Sequence, residues 1–343
     1  MPAHIRSCFA GLAIVVCTAA GPSFAAAAAP TKNPAYADPA QTDEDFPFQG
    51  EYAGMLTKGG TSEKYGVQVI ALGDGSFDAV GYPGGLPGDG WTPPTKLRGT
   101  GKRDGSIVTL AGLDIGGTKR RGRIKDGSLT VLDDAGNAIA TFAKVTRKSP
   151  TLGQPAPAGA IVLFDGAGPA DETKTLVDPR LTDDGLLMEG VTSQVTHGDA
   201  TLHIEFRLPY QPKDRGQQRG NSGAYLAGGY EVQMLDSFGL EGKDNECGGI
   251  YSVAAPAVNM CLPPLEWQTY DIDFTAPRFE GATKVKDATV TVRHNGVLVQ
   301  KNTAVPKITP AGPQKTEQPT GPLHLQDHGN PVRYRNIWVQ PKS

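Results

Sequence analysis

Apolar and polar residues trade places at every second position over much of this chain, the period of a β-strand with one buried face. "TLHIEFRL" (201–208) puts Leu202, Ile204, Phe206 and Leu208 on one side and Thr201, His203, Glu205 and Arg207 on the other. "QTYDIDFTAP" repeats the pattern with Tyr270, Ile272 and Phe274 inward, and "VTVRHNGVLVQ" is a hairpin pivoting on Asn295-Gly296. Long apolar patterns of period 3.6 are nearly absent, while 44 glycines and 28 prolines supply turns. The expected fold class is all-β.

The strands fall into two blocks. From Phe46 to about Lys148 the chain is punctuated by Asp74-Gly75-Ser76, Asp104-Gly105-Ser106 and Asp126-Gly127-Ser128, each between strand-like runs. Asp-Gly tolerates the positive φ of a type I′ turn, so these are hairpins. Their unequal spacing excludes a solenoid. We expect a small hairpin-built β domain over 46–148. Its long loop "GYPGGLPGDGWTPPTK" (81–96) carries Trp91, expected to plug the end of the barrel in preference to stacking on a sugar. "SPTLGQPAPAGA" holds three prolines and little that could bury, which makes 149–158 a Pro-rich linker. Antiparallel strands then fill 159–341, the pattern of a two-sheet sandwich or jelly roll.

The front end changes the expected compartment. "MPAHIRSCFAGLAIVVCTAAGPSFAAAAAP" has a short basic region, an apolar run too brief to span a bilayer, and small residues suited to a signal peptidase. We expect a signal peptide over 1–28, a periplasmic or secreted protein, and no membrane span. Residues 31–45 read as a polar, flexible lead-in. Cys247 and Cys261 would then meet an oxidising environment and pair, a bridge worth roughly 3 kcal/mol in the chain-entropy model. A net charge of −3 without a basic block argues against nucleic acid as a partner.

Three stretches carry polar groups that strand packing does not require. In "RGNSGAYLAGGYEVQMLDS" (219–237), Glu231 and Gln233 project from one face of a strand. Asp236 would rejoin that face through a bulge at Met234-Leu235. Gly220, Gly223, Gly228 and Gly229 leave room for a ligand or a close backbone approach, and Tyr225 lies among them. In "GPLHLQDHGNPVRYRNIWV" (321–339), His324, Gln326 and His328 face one way, and Arg333 and Arg335 share a face on the next strand. Histidine moves protons near neutral pH and also binds metal; an arginine can hold a developing oxyanion. Asn336 is expected to tie the last strand to a loop. In "NECGGIYSVAAPAVNMCLPPLEWQTYDI" (245–272) Tyr251 is the candidate for ligand contact, with Glu266 and Trp267 structural.

"NSGAYLAGGYEVQMLDS", "CGGIYSVAAPAVNMCLPPLEWQTYDIDFTAPR", "VTVRHNGVLVQKN" and "GPLHLQDHGNPVRYRNIWV", in this order, resemble the 3-keto-disaccharide hydrolase family. Its members are also described as 3-keto-glucoside 1,2-lyase/3-keto-2-hydroxy-glucal hydratase domains. The resemblance covers roughly 159–341 and implies a concanavalin-like jelly roll, bacterial export and action on glycosides oxidised at C3. It transfers no catalytic set. Our own expectation is Glu231, His328 and Asp236 as catalytic groups, with Gln233, Tyr225, Tyr251, Gln326 and Arg333 binding a carbohydrate substrate. A divalent metal is left open as cofactor. Two other readings stay open: a non-catalytic carbohydrate-binding or cell-surface module, and an ordinary jelly-roll glycoside hydrolase. The second rests on the echo of E-x-D-x-x-E in E-x-Q-x-x-D.

Overall fold

A computed structural model describes residues 1, 32–58, 60–114, 118–166 and 175–342. Apart from Met1, the leader expected over 1–28 lies outside them. Residues from Asn33 onward form one compact unit. Strands make up 52% of the chain and helix 3%, so the fold is all-β. Among the described residues no helix is long and apolar enough to cross a membrane.

Eight strands running from Gly50–Lys58 to Ala138–Val145 close into an antiparallel barrel. Every second side chain points inward, and Tyr52, Val67, Val69, Phe77, Leu110, Leu129 and Phe142 fill the interior. Two Asp-Gly turns take the expected form, with positive φ at Asp74 and Gly75 and at Asp126 and Gly127. The third is shifted by one residue. Asp104 pairs with Ile107, so Gly105-Ser106 is the loop, and glycine alone supplies the positive φ. Trp91 does not plug the barrel. It meets Tyr82 edge-on at 5.2 Å, donates its indole N–H to Thr95 O at 2.6 Å, and packs against a different core.

That core belongs to a two-sheet jelly-roll sandwich. One sheet is built around Ala200–Arg207, Trp267–Thr275 and Arg333–Pro341; the other contains Val191–His197, Gly321–Leu325, Asn221–Leu226 and Tyr230–Leu235. Leu202, Ile204, Phe206, Tyr270 and Phe274 meet Leu226, Val232, Met234, Leu323 and Leu325 between them. Ile70, Val80 and Tyr82 from the barrel and Leu86 from its 81–96 loop join the same cluster, which ties the two bodies together by apolar contact.

The far face of the first sheet departs from the simple alternation. His203 and Glu205 were expected to face water, yet both are fully buried. The segment before the sandwich lies across them as a strap. Gly153 N–H donates to Glu205, Thr151 Oγ1 donates to Asp271 at 2.7 Å, and Asn336 Nδ2 bridges Gln154 O and Glu205, each at 2.9 Å. His203 Nδ1 stands 2.6 Å from Asp271, and its ring stacks on Trp338. Proline-rich composition reads as a free linker because it offers few apolar groups; here polar ties hold it down instead.

Candidate active site

The Tyr230–Leu235 strand pairs with Asn221–Leu226 in unbroken register, Tyr225 opposite Glu231 and Gly223 opposite Gln233. Strand alternation sends Ala224, Val232 and Met234 into the core and Tyr225, Glu231 and Gln233 to the other face. Two loops roof that face. Residues 248–251 zip onto the strand's outer edge through Gly248 N to Gln233 O (3.0 Å), Gln233 N to Gly249 O (2.9 Å) and Tyr251 N to Glu231 O (3.3 Å). From the second loop Thr309 Oγ1 accepts the amide N–H of Glu231 at 3.0 Å, while Pro310 and Ala311 close the top.

The result is a chamber of about 170 Å³. Glu231 is the one carboxylate among its lining residues; the others are Gln217, Asn221, Tyr225, Gln233, Tyr251, Pro310, Ala311, Gln326 and His328. Glu231 is only 3% exposed. Burial pushes its carboxyl up to about pKa 7, against the opposing pull of the Tyr225 hydroxyl. That hydroxyl stands 2.9 Å from both Glu231 Oε2 and Pro310 O, and its one hydrogen can serve only one of them at a time. Burial first, and the Glu231 charge second, raise the Tyr225 phenol far above its ordinary range. Gln326 Nε2 donates to the same phenol oxygen at 3.3 Å.

The space for the carboxylate depends on a missing side chain. A Cβ on Gly223 would sit 2.1 Å from Glu231 Oε1. On the chamber's other side Gln233 Nε2 donates to Gln217 Oε1 at 3.1 Å, and Asn221 Nδ2 donates to Gln217 O at 2.9 Å. The Asn221 Oδ1 acceptor is buried without a partner. His328 is exposed at the mouth. Beyond Tyr251, Pro310 and Ala311 a second chamber of about 370 Å³ opens, walled by Val253 and Ile308 with Lys307 and Lys315 among its lining residues.

Residues 159–340 match the 3-keto-alpha-glucoside-1,2-lyase-like domain family. The chain belongs to this family. It is also similar to two solved structures from Parabacteroides distasonis ATCC 8503, each described as a candidate glycosyl hydrolase. One is 33% identical, covers 55% of this chain and 86% of its own, and has a TM-score of 0.49. The other is 18% identical, covers 53% and 99%, and has a TM-score of 0.39. No curated protein matches.

Within the lyase-like domain, the structure gathers Glu231, Gln233, Tyr225, Tyr251, Gln326 and His328 around one chamber. Two expected members lie elsewhere. No bulge interrupts the strand, so Asp236 falls on the opposite side from Glu231 and is clasped by Arg219 Nε and Nη2 at 2.9 and 2.7 Å. Arg333 is on the other sheet, opposite Arg207, and pairs with Glu189 at 2.9 Å. His324 is held back from the chamber by Thr192 Oγ1 at 2.8 Å, and burial lowers its pKa. Trp267 lies under the Arg335 guanidinium at 4.1 Å and does not line the chamber.

Cys247 and Cys261 are both buried, with their thiols in contact with each other and unbonded in this structure. Cys247 Sγ is engaged with Tyr270 Oη at 3.2 Å and Cys261 Sγ with Leu235 O at 3.5 Å. Asn259 ties the same loop, its Nδ2 donating to Ser237 O at 2.7 Å and to Leu240 O at 3.2 Å. Gln217, Asn221, Pro310 and Ala311 escaped the sequence reading, since irregular segments supply most of them. Asn221 shares the alternation face of Gly223 and Tyr225 on one strand, and that parity could have found it. Among the described residues no three His, Cys, Asp or Glu side chains converge as a metal site. A divalent cation in the chamber would have Glu231 and amide oxygens to hold it.

Proposed function

We propose that this protein is an exported enzyme that opens the glycosidic bond of 3-keto-glycosides by 1,2-elimination and then hydrates the product. The observation that carries the proposal is a single buried carboxylate, with a pKa near 7, in a chamber otherwise lined by amides and hydroxyls. Ordinary glycosidases use two carboxyl groups roughly 5–10 Å apart. Here Asp236 is committed to Arg219 and no second acid lines the chamber. Elimination needs only one base.

A ketone at C3 makes the C2 hydrogen acidic, because the electron pair left behind rests on the ketone oxygen as an enolate. Glu231, tuned close to neutral pH, takes that proton. Gln326 Nε2 has one hydrogen on Tyr225 and a second to give the enolate oxygen, and Gln233 Nε2 can join it by releasing Gln217 or Asn245 O, a contact worth ~3–4 kcal/mol per donor in comparable sites. This role passes from Arg333 to neutral amides. When Glu231 becomes protonated, it can donate to Tyr225, whose own hydrogen turns to Pro310 O. The enolate then reforms the ketone and expels the C1 oxygen, leaving a C1–C2 double bond. Tyr251, which lines both chambers, or His328 at the mouth supplies the departing oxygen with its proton. Water adds its oxygen to C1 and gives one proton back to the group that protonated the leaving oxygen, while Glu231 returns its proton to C2, which closes the balance. The second chamber has room for the leaving group.

A non-catalytic binder would favour a shallow aromatic groove, whereas Glu231 is enclosed. The test is turnover of 3-keto-disaccharides beside their unoxidised parents by the purified protein. We expect cleavage of the former and little of the latter; equal turnover of both would favour an ordinary glycosidase.

A further inference from the structure

Among the described residues apolar side chains fill the barrel interior, which leaves its outer surface for a ligand. One part of that surface is strongly charged. The seven-residue strand Lys119–Lys125, "KRRGRIK", sends Arg121, Arg123 and Lys125 outward while Gly122 and Ile124 point in. Arg123 lies between Thr109 and Thr130; Lys102 stands opposite Thr109 and Thr141 opposite Thr130. A row Lys102–Thr109–Arg123–Thr130–Thr141 therefore crosses five adjacent strands. None of Lys102, Arg121, Arg123 and Lys125 holds an ion pair among the described residues, and Arg121 reaches only the Asp134 carbonyl, at 3.2 Å. Asp104, two residues on from Lys102, shares its outward face at one hairpin end, and Asp126 follows Lys125 at another. Away from those ends the face is cationic, in a chain of net charge −3.

We propose that this face binds a polyuronate, a linear polysaccharide bearing carboxylates. On a barrel's convex exterior the side chains diverge, so they cannot converge on one small anion. They instead present charges about 7 Å apart along a strand and about 10 Å apart across two strand spacings, which suits an extended polyanion. Guanidinium groups pair with carboxylates in a two-pronged fork, and the intervening threonines offer hydroxyl contacts to sugar. The row has no aromatic side chain on which the bases of a single-stranded nucleic acid could stack. The surface is separate from the Glu231 chamber, so its role does not rest on the proposed chemistry.

The test is binding of the full chain to immobilised polygalacturonate in stepped NaCl, with single-stranded DNA and phosphatidylglycerol vesicles in parallel. We expect salt-sensitive binding to polygalacturonate. The triple variant Arg121→Gln/Arg123→Gln/Lys125→Gln should weaken it about tenfold or more and lower the salt slope by about three, with thermal stability unchanged. If the triple variant fails to fold, Lys102→Gln should reduce the slope by about one. No binding by the wild type, binding unaffected by the substitutions, or tighter binding to DNA or vesicles would each overturn the proposal.

Discussion

Glu231→Gln separates what the buried carboxylate does for catalysis from what it costs the fold. In the folded chain burial lifts this carboxyl from an ordinary 4.5 to about 7. Below about pH 4 the group is protonated in both folded and unfolded chains, and glutamate should behave like glutamine. Between 4.5 and 7 the unfolded chain releases its proton while the folded chain keeps it, so stability falls as pH rises. Above 7 both are ionised and the full difference remains, about 3 kcal/mol at ~1.4 kcal/mol per unit. Glutamine has nearly the same shape, can accept the Tyr225 hydrogen and carries no charge. The variant should therefore match the wild type in urea denaturation at pH 4 and exceed it by about 3 kcal/mol at pH 8. It should also lose roughly 10²- to 10⁴-fold in turnover, the usual worth of a positioned base. A variant no more stable than the wild type at pH 8 would refute the desolvated carboxylate, and with it the tuned base.

Gly223→Ala should leave the extended backbone unstrained but displace the carboxylate. We expect kcat/KM to fall about 100-fold and its pH midpoint, near 7 in the wild type, to drop towards an ordinary carboxyl value; an unchanged pH profile would contradict the role of Gly223. Arg219→Ala leaves the buried Asp236 charge without its partner and should cost ~3–5 kcal/mol in a melting or urea experiment, whereas a change under 1 kcal/mol would show that Asp236 is solvated. Burial opposes charge on His203, but Asp271 and Glu205 outweigh it and raise its pKa. The stability this adds is complete below about pH 6.5 and is lost as pH rises through the raised value, so trypsin should cut after Lys148, at the root of the strap, faster at alkaline pH in the wild type than in Glu205→Gln relative to each protein's rate at pH 6. Identical pH dependence in the two would refute the clamp.

Period-two alternation made the pair Glu231 and Gln233 legible, because side chains two apart share a face whatever the tertiary structure. The same rule failed for Asp236, where the expectation needed a bulge that the unbroken 221–226/230–235 register does not contain. It failed for Arg333 for another reason: alternation tells which residues share a face, not which sheet that face belongs to. The roof over Glu231 was invisible because Pro310 and Ala311 come from a segment with no periodic pattern. His203 and Glu205 looked solvated for a related reason. Their cover is a polar, proline-bearing strap whose grip consists of hydrogen bonds to backbone and charge, which composition does not report. The basic character of residues 119–125 was readable in the sequence, yet it was diluted by the balanced charge of the whole chain.

The claim that Glu231 removes a proton from C2 is tested most directly by the rate on a 3-keto-glycoside carrying deuterium at that carbon. Elimination breaks the C2–H bond, so the account predicts that the deuterated substrate is cleaved markedly more slowly than the protiated one in single-turnover measurements. Equal rates for the two, with the glycosidic bond still broken, would contradict it.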